Sequence, residues 1–184
     1  MPNYTKTIRS LSQKLKPASE AQNIDAAVAL LLKPTDQDLN ILLVKRTESP
    51  LDPWSGQMAF PGGKRDPKDR DIIQTVVRET LEETNINIAN RCRFLGVLEH
   101  TRSTVRSKLL VASFVILLEH EPTIILSEEL EGYIWALVKK LRECRGTADF
   151  PFGEVPAYFV EGNVVWGLTF RILEKFTQIF ENTT

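Results

Sequence analysis

The chain has 184 residues and carries 23 Lys and Arg against 24 Asp and Glu, a formal charge of −1. No global field therefore draws it to nucleic acid or to an anionic membrane. With 42% hydrophobic and 26% charged residues, its length fits one ordinary soluble domain able to bury a core. The longest apolar runs, 26–32 and 109–118, fall short of the roughly 20 residues that span a bilayer. The opening MPNYTKTIRSLSQKLKP lacks the apolar core of a secretory signal, so no membrane partner and a cytoplasmic location are expected. Cys92 and Cys144 have no metal-ligand spacing, and no disulfide is expected between them in a reducing compartment.

Along the chain, Ile8, Leu11 and Leu15 recur at helical spacing before Pro17, which predicts a helix over 5–15 within an N-terminal helical extension, 1–22. The main domain is expected at 23–184. Runs at 25–33 and 40–46, separated by PTDQD, predict two buried strands of a hairpin. Residues 47–69 hold four prolines and three glycines in 23 positions, too many for regular structure beyond a brief strand at 57–60. A loop this long is usually functional. A helix is expected over 71–84, then strands at 93–98 and 108–118, a loop opening at Glu128, and a strand at 132–138. The remainder predicts a helical 139–146, a loop with one short strand in 150–166, and an amphipathic helix from 167. Strands that precede, separate and follow helices imply an α/β fold, a mixed sheet between helices.

On the 71–84 helix, Ile72, Ile73, Val76, Val77 and Leu81 step by threes and fours as one buried face. Glu79, Glu82 and Glu83 share a second face with Arg78 beside them. Like charges at that spacing repel, and the C-terminal half of a helix already disfavours anions. A solvated acidic surface is the common form of such a cluster. Here, however, Gly62 and Gly63 feed a loop directly into the helix, and glycines let phosphate oxygens approach backbone N–H groups. A hard divalent cation, Mg²⁺ or Mn²⁺, would supply the missing positive charge.

The run from Gly63 through Asp69 and Arg78-Glu79-Thr80-Leu81-Glu82-Glu83 to Asn85-Ile86 resembles the Nudix box, the loop-helix-loop signature of hydrolases that cleave nucleoside diphosphates linked to another moiety. Asp69 stands where that signature has Glu, eight residues rather than seven separate it from Arg78, Thr80 replaces an aliphatic and Asn85 replaces a glycine. The flanks, LLVKRTESPLDPWSGQMAFPGG (42–63) and VVWGLTFRIL (164–173), are similar to the coenzyme A pyrophosphatase branch, although LDPWSG lacks that branch's internal arginine.

The resemblance implies a Nudix-type α/β/α sandwich and metal-dependent hydrolysis of a P–O–P linkage in a small nucleotide-type substrate such as coenzyme A or an ADP-ribose-like compound. The implied metal ligands are Glu79, Glu82 and Glu83. Glu79, oriented by Arg78, is the first choice of general base, with Glu129 of the loop holding Glu128 and Glu131 as the second. Arg46, Gly62, Gly63 and Lys64 are candidates to receive phosphates, with Arg65 nearby. Trp54, Phe60, Phe150, Phe152 and Tyr158 are candidate base-stacking rings, although core packing is expected for most. His100 and His120 are expected to be structural, and 100–108 forms a basic loop with Arg102, Arg106 and Lys108. A nucleoside triphosphate pyrophosphohydrolase and a non-catalytic nucleotide-binding protein are the alternatives. Relatives in the family lead to expecting a monomer or homodimer.

Overall fold

A computed structural model describes residues 4–21, 23–36, 38–49, 55–104 and 109–183. Trp54 with the rest of 50–54, and Arg106 with Lys108, lie outside the described residues. In chain order the elements are α1 (Tyr4–Lys14), β1 (Ala26–Pro34), β2 (Leu39–Arg46), β3 (Met58–Ala59), β4 (Gly62–Lys64) and α2 (Ile72–Thr84). They continue with β5 (Cys92–Val97), β6 (Thr101–Arg102), β7 (Leu110–Leu118), β8 (Leu130–Leu137), β9 (Arg145–Phe150), β10 (Gly153–Val160), β11 (Asn163–Val165) and α3 (Gly167–Glu181).

The main sheet is mixed. β1 runs parallel to β7 and antiparallel to β2 and β4, β2 pairs antiparallel with β3 and β8, and β7 pairs antiparallel with β5 and β6. Helices cover both of its faces, so alternate residues of one strand enter two different cores. Leu30 and Leu32 of β1 join Leu11, Phe170 and Phe176 beneath α1 and α3. Leu31 and Ala29 join Ile72, Val76 and Phe114 beneath α2. That double burial is why β1 reads as an unbroken apolar run rather than an alternating one. The α/β/α sandwich expected from the sequence is the fold observed. The helix α1 packs on α3 and β5, and Lys16 exchanges two backbone hydrogen bonds with Val97, at 3.1 and 2.9 Å, along the outer side of β5.

Three expectations are corrected. The glycine pair is not loop: Gly62, Gly63 and Lys64 form β4, opposite Val28, Ala27 and Ala26 of β1. The stretch expected to hold one short strand is an antiparallel meander of β9, β10 and β11. Its second turn is made by Glu161 and Gly162, both at positive φ, 48° and 75°, the pair that matches strand twist in a two-residue hairpin. The segment expected to be helical at 139–146 is a 3₁₀ helix over Val138–Cys144, and Arg145 already begins β9.

The faces of α2 also differ from expectation. Leu81 is 40% exposed, whereas Thr80 is fully buried and Glu83 is 7% exposed. The buried flank runs Ile72, Val76, Thr80 and Glu83, which places Glu83 on the sheet side and Glu82 in solvent. Both cysteines are free thiols.

Candidate active site

The strand β4 threads between β1 and α2, and its two glycines are required there. A side chain at Gly62, whose φ is 143°, would collide with the backbone of Ala27, and one at Gly63 would overlap the Glu79 carboxylate. With neither side chain present, the backbone N–H of Gly62 donates to Glu83 Oε2 at 2.8 Å. The sheet and the acidic end of α2 therefore meet at hydrogen-bond distance.

Local capping sets the register of the helix. Asp71 is the N-cap, its Oδ1 accepting from the N–H of Gln74 at 2.8 Å. Asn85, in the glycine position of the box, ends the helix at φ 61° with its N–H on Leu81 O. The following carbonyls are taken by the returning loop: Ser127 N–H donates to Glu83 O and Ile125 N–H to Thr84 O, each at 3.0 Å. This docking carries Glu129 toward the helix end.

Arg78 organises the acidic residues. Its Nε and Nη2 donate to Asp69 at 3.2 and 2.9 Å, and its Nη1 donates to Glu79 at 2.8 Å and Glu82 at 3.0 Å. Arg78 holds the Asp69 carboxyl down to about 2 against the upward pull of burial, helped by Thr75 and the N–H of Asp66. Asp69, at the altered box position, thus supports the helix through Arg78. Burial pushes Glu83 up to about 7, opposed by the Gly62 N–H, while Glu79 and Glu129 add negative charge and Arg46 offsets part of it. Burial likewise raises Glu79, opposed by Arg78, with Glu82 and Glu129 adding to the rise.

These are the marks of a carboxylate cluster short of positive charge. Every donor is a hard oxygen, which suits Mg²⁺ or Mn²⁺. Among the described residues no three Asp, Glu, His or Cys side chains close a ready cage, and Arg78 Nη1 holds both Glu79 and Glu82. The donor chemistry fits the cation.

Arg46, Gly62, Gly63, Lys64 and Glu83 line one cavity of about 250 Å³. Glu79 sits behind Gly63, Glu82 lies outside among solvated groups, and Arg46 Nη2 stands 3.9 Å from Glu129 Oε2. Of the other loop acids, Glu131 pairs with Lys45 and Glu128 O accepts from Thr47 Oγ1. Most of the cavity wall is apolar, including Val28, Met58, Leu130, Leu168 and Ile172. The α3 contribution was not foreseen from the residues alone, since only the tertiary fold brings Leu168 to β4. Phe60 lines the cavity. Tyr158 is 1% exposed and its hydroxyl donates to Glu174 at 2.5 Å, so it offers no free face to a base.

The sequence profile of the NUDIX domain matches residues 23–156. A curated Schizosaccharomyces pombe protein of uncharacterised function is 40% identical over 48% of this chain, although the chain spans only 28% of that protein. The uncharacterised Nudix hydrolase NudL of Photorhabdus laumondii is 31% identical over 74% of this chain and 75% of its own length. A peroxisomal coenzyme A diphosphatase of Caenorhabditis elegans is 32% identical over 69% of this chain and 54% of its own. Among solved structures, the NUDIX domain of Shewanella oneidensis NrtR bound to ADP-ribose superposes with a TM-score of 0.56 at 19% identity, covering 94% of this chain and 96% of that one.

Proposed function

The chain belongs to the Nudix family, and from that premise we propose that it is a divalent-metal-dependent hydrolase that cleaves the pyrophosphate linkage of a nucleoside diphosphate derivative. One observation carries the proposal: two carboxylates raised by burial, Glu79 and Glu83, press on Gly63 and Gly62 at the wall of a cavity flanked by Arg46 and Lys64. A bound Mg²⁺ or Mn²⁺ supplies Lewis acidity to the phosphoryl oxygens and lowers the pKa of the attacking water.

Glu79, Glu82 and Glu83 would hold that cation, with Glu82 giving up its bond to Arg78. Arg78 orients Glu79 through a charge-assisted hydrogen bond, and the Gly62 N–H pins Glu83. Glu79 takes the proton of the attacking water, and Glu129 is the next acceptor in the same field. Phosphate oxygens approach the side-chain-free backbone of Gly62 and Gly63 while Arg46 and Lys64 balance their charge.

Coenzyme A leads the substrates. The flanks of the box support it, and the C. elegans relative is named for that activity. We place the protein in the cytoplasm as a monomer or homodimer acting on a small molecule rather than on nucleic acid. None of the described helices is long and apolar enough to cross a membrane.

The test is a chromatographic screen of purified protein with Mg²⁺ or Mn²⁺ against coenzyme A, ADP-ribose, NADH, diadenosine polyphosphates and nucleoside triphosphates. Cleavage of coenzyme A by one water to 4′-phosphopantetheine and adenosine 3′,5′-bisphosphate is the expected result. Release of pyrophosphate from triphosphates alone would favour the nucleoside triphosphate reading, and silence with both metals would leave a binding protein.

A further inference from the structure

Outside the carboxylate cluster, three aromatic rings stand together where the turn between β9 and β10 meets the start of α3. Phe150 and Phe152 stack nearly parallel, centroids 5.2 Å apart and planes 6° apart, and Trp166 contacts both at 4.6 and 5.7 Å. Phe152 is 66% exposed at the turn between β9 and β10, so little of its area contributes to the core.

The cluster adjoins the cavity through the chain itself. Trp166 immediately precedes Gly167, and the next residues, Leu168 and Thr169, are cavity wall. The strand β11, which leads into Trp166, packs on β3, whose Met58 and Ala59 are also wall. At Gly167, between Trp166 and the wall residue Leu168, an added Cβ would meet nothing within 4 Å, so the backbone there is open.

We infer that Phe150, Phe152 and Trp166 form the platform on which the planar base of the substrate stacks. The inference rests on the proposed nucleotide hydrolysis for its choice of ligand. Aligned rings with an open face accept any flat heterocycle. The two flanking carboxylates, Asp149 and Glu154, are exposed and opposite each other in the β9–β10 ladder. They would repel a phosphate, so the uncharged base end of the nucleotide belongs here while the phosphates face Arg46 and Lys64.

Fluorescence gives the test without metal or turnover. AMP should quench the emission of Trp166, ribose 5-phosphate should not, and the quench should vanish in Trp166→Phe. Phe152→Ala, at a position 66% exposed, should weaken AMP binding about tenfold and raise KM rather than lower kcat. An unquenched Trp166, or a Phe152→Ala protein that binds AMP like wild type, would overturn the platform. So would a Phe152→Ala protein whose only change is its oligomeric state. AMP binding of this kind without hydrolysis of any pyrophosphate would sink the proposed function and leave the platform. Hydrolysis with unchanged KM in Phe152→Ala would do the reverse.

Discussion

Asp69 and Arg78 are joined at two points, Nε to Oδ1 at 3.2 Å and Nη2 to Oδ2 at 2.9 Å, with Asp69 only 5% exposed. The remaining Arg78 nitrogen, Nη1, faces Glu79 and Glu82. One buried acid thereby sets the rotamer of the arginine that holds two exposed or half-exposed ones.

Asp69→Asn should therefore disturb both stability and turnover. Losing hydrogen bonds to a charged group costs about 1–3 kcal/mol. The folded pKa of Asp69, about 2, lies below the roughly 3.9 of an unfolded aspartate. Its contribution is thus fully present above about pH 4 and is lost as pH falls toward 2. Urea unfolding of wild type and Asp69→Asn should differ at pH 7, and the two should converge on acidification.

Glu83 has the opposite sign. Its folded pKa is about 7, above the roughly 4.3 of an unfolded glutamate, so ionisation works against the fold. In metal-free protein the penalty is absent below about pH 4, grows through neutrality and is complete above pH 7. It reaches about 4 kcal/mol. Glu83→Gln, which can still accept from the Gly62 N–H, should be the more stable protein at pH 8 and should lack turnover. Equal denaturation midpoints for the two proteins across pH 5 to 8 would show that Glu83 is not charge-starved.

Cation binding should relieve the same repulsion. Mg²⁺ at about a hundred times its dissociation constant should stabilise wild type by about 2.7 kcal/mol, read as a rise in Tm that a chelator reverses. Glu79→Gln and Glu83→Gln should each lose most of that rise. An undiminished rise in both would place the ion elsewhere.

The two glycines separate fold from site. Gly62→Ala drives a Cβ into the backbone of Ala27 at a φ of 143° and should cost about 3 kcal/mol or more. For Gly63→Ala the three nearest atoms all belong to the Glu79 carboxylate, the end of a side chain that can move. It should retain most of its thermal stability while losing turnover, as circular dichroism melting and the hydrolysis assay together would register.

Some of this was legible in the residues and some was not, for physical reasons. The helix α2 was readable because Ile72, Ile73, Val76 and Val77 recur at helical spacing. The rotation of that helix was not, because the choice between Leu81 and Thr80 for the core depends on the position of the sheet. The consequence reaches the chemistry: Glu82 and Glu83 are neighbours in sequence, yet one is solvated and the other nearly sealed. The meander of β9 to β11 was hidden by Pro156, which reads as a strand breaker, and by the Glu161–Gly162 turn. The cavity was half visible, through Arg46, Gly62, Gly63 and Lys64, while its α3 wall arises only from packing at a distance.

The two backbone hydrogen bonds between Lys16 and Val97 have a bearing on solubility. An unguarded outer strand is a template for pairing with another chain, and β5 carries Phe94, Leu95 and Val97 along such a margin. By laying Lys16 against that margin and setting Ser12 on Leu95 O at 3.1 Å, the first residues act as a guard rail against chain-to-chain aggregation as well as adding Ile8, Leu11 and Leu15 to the core.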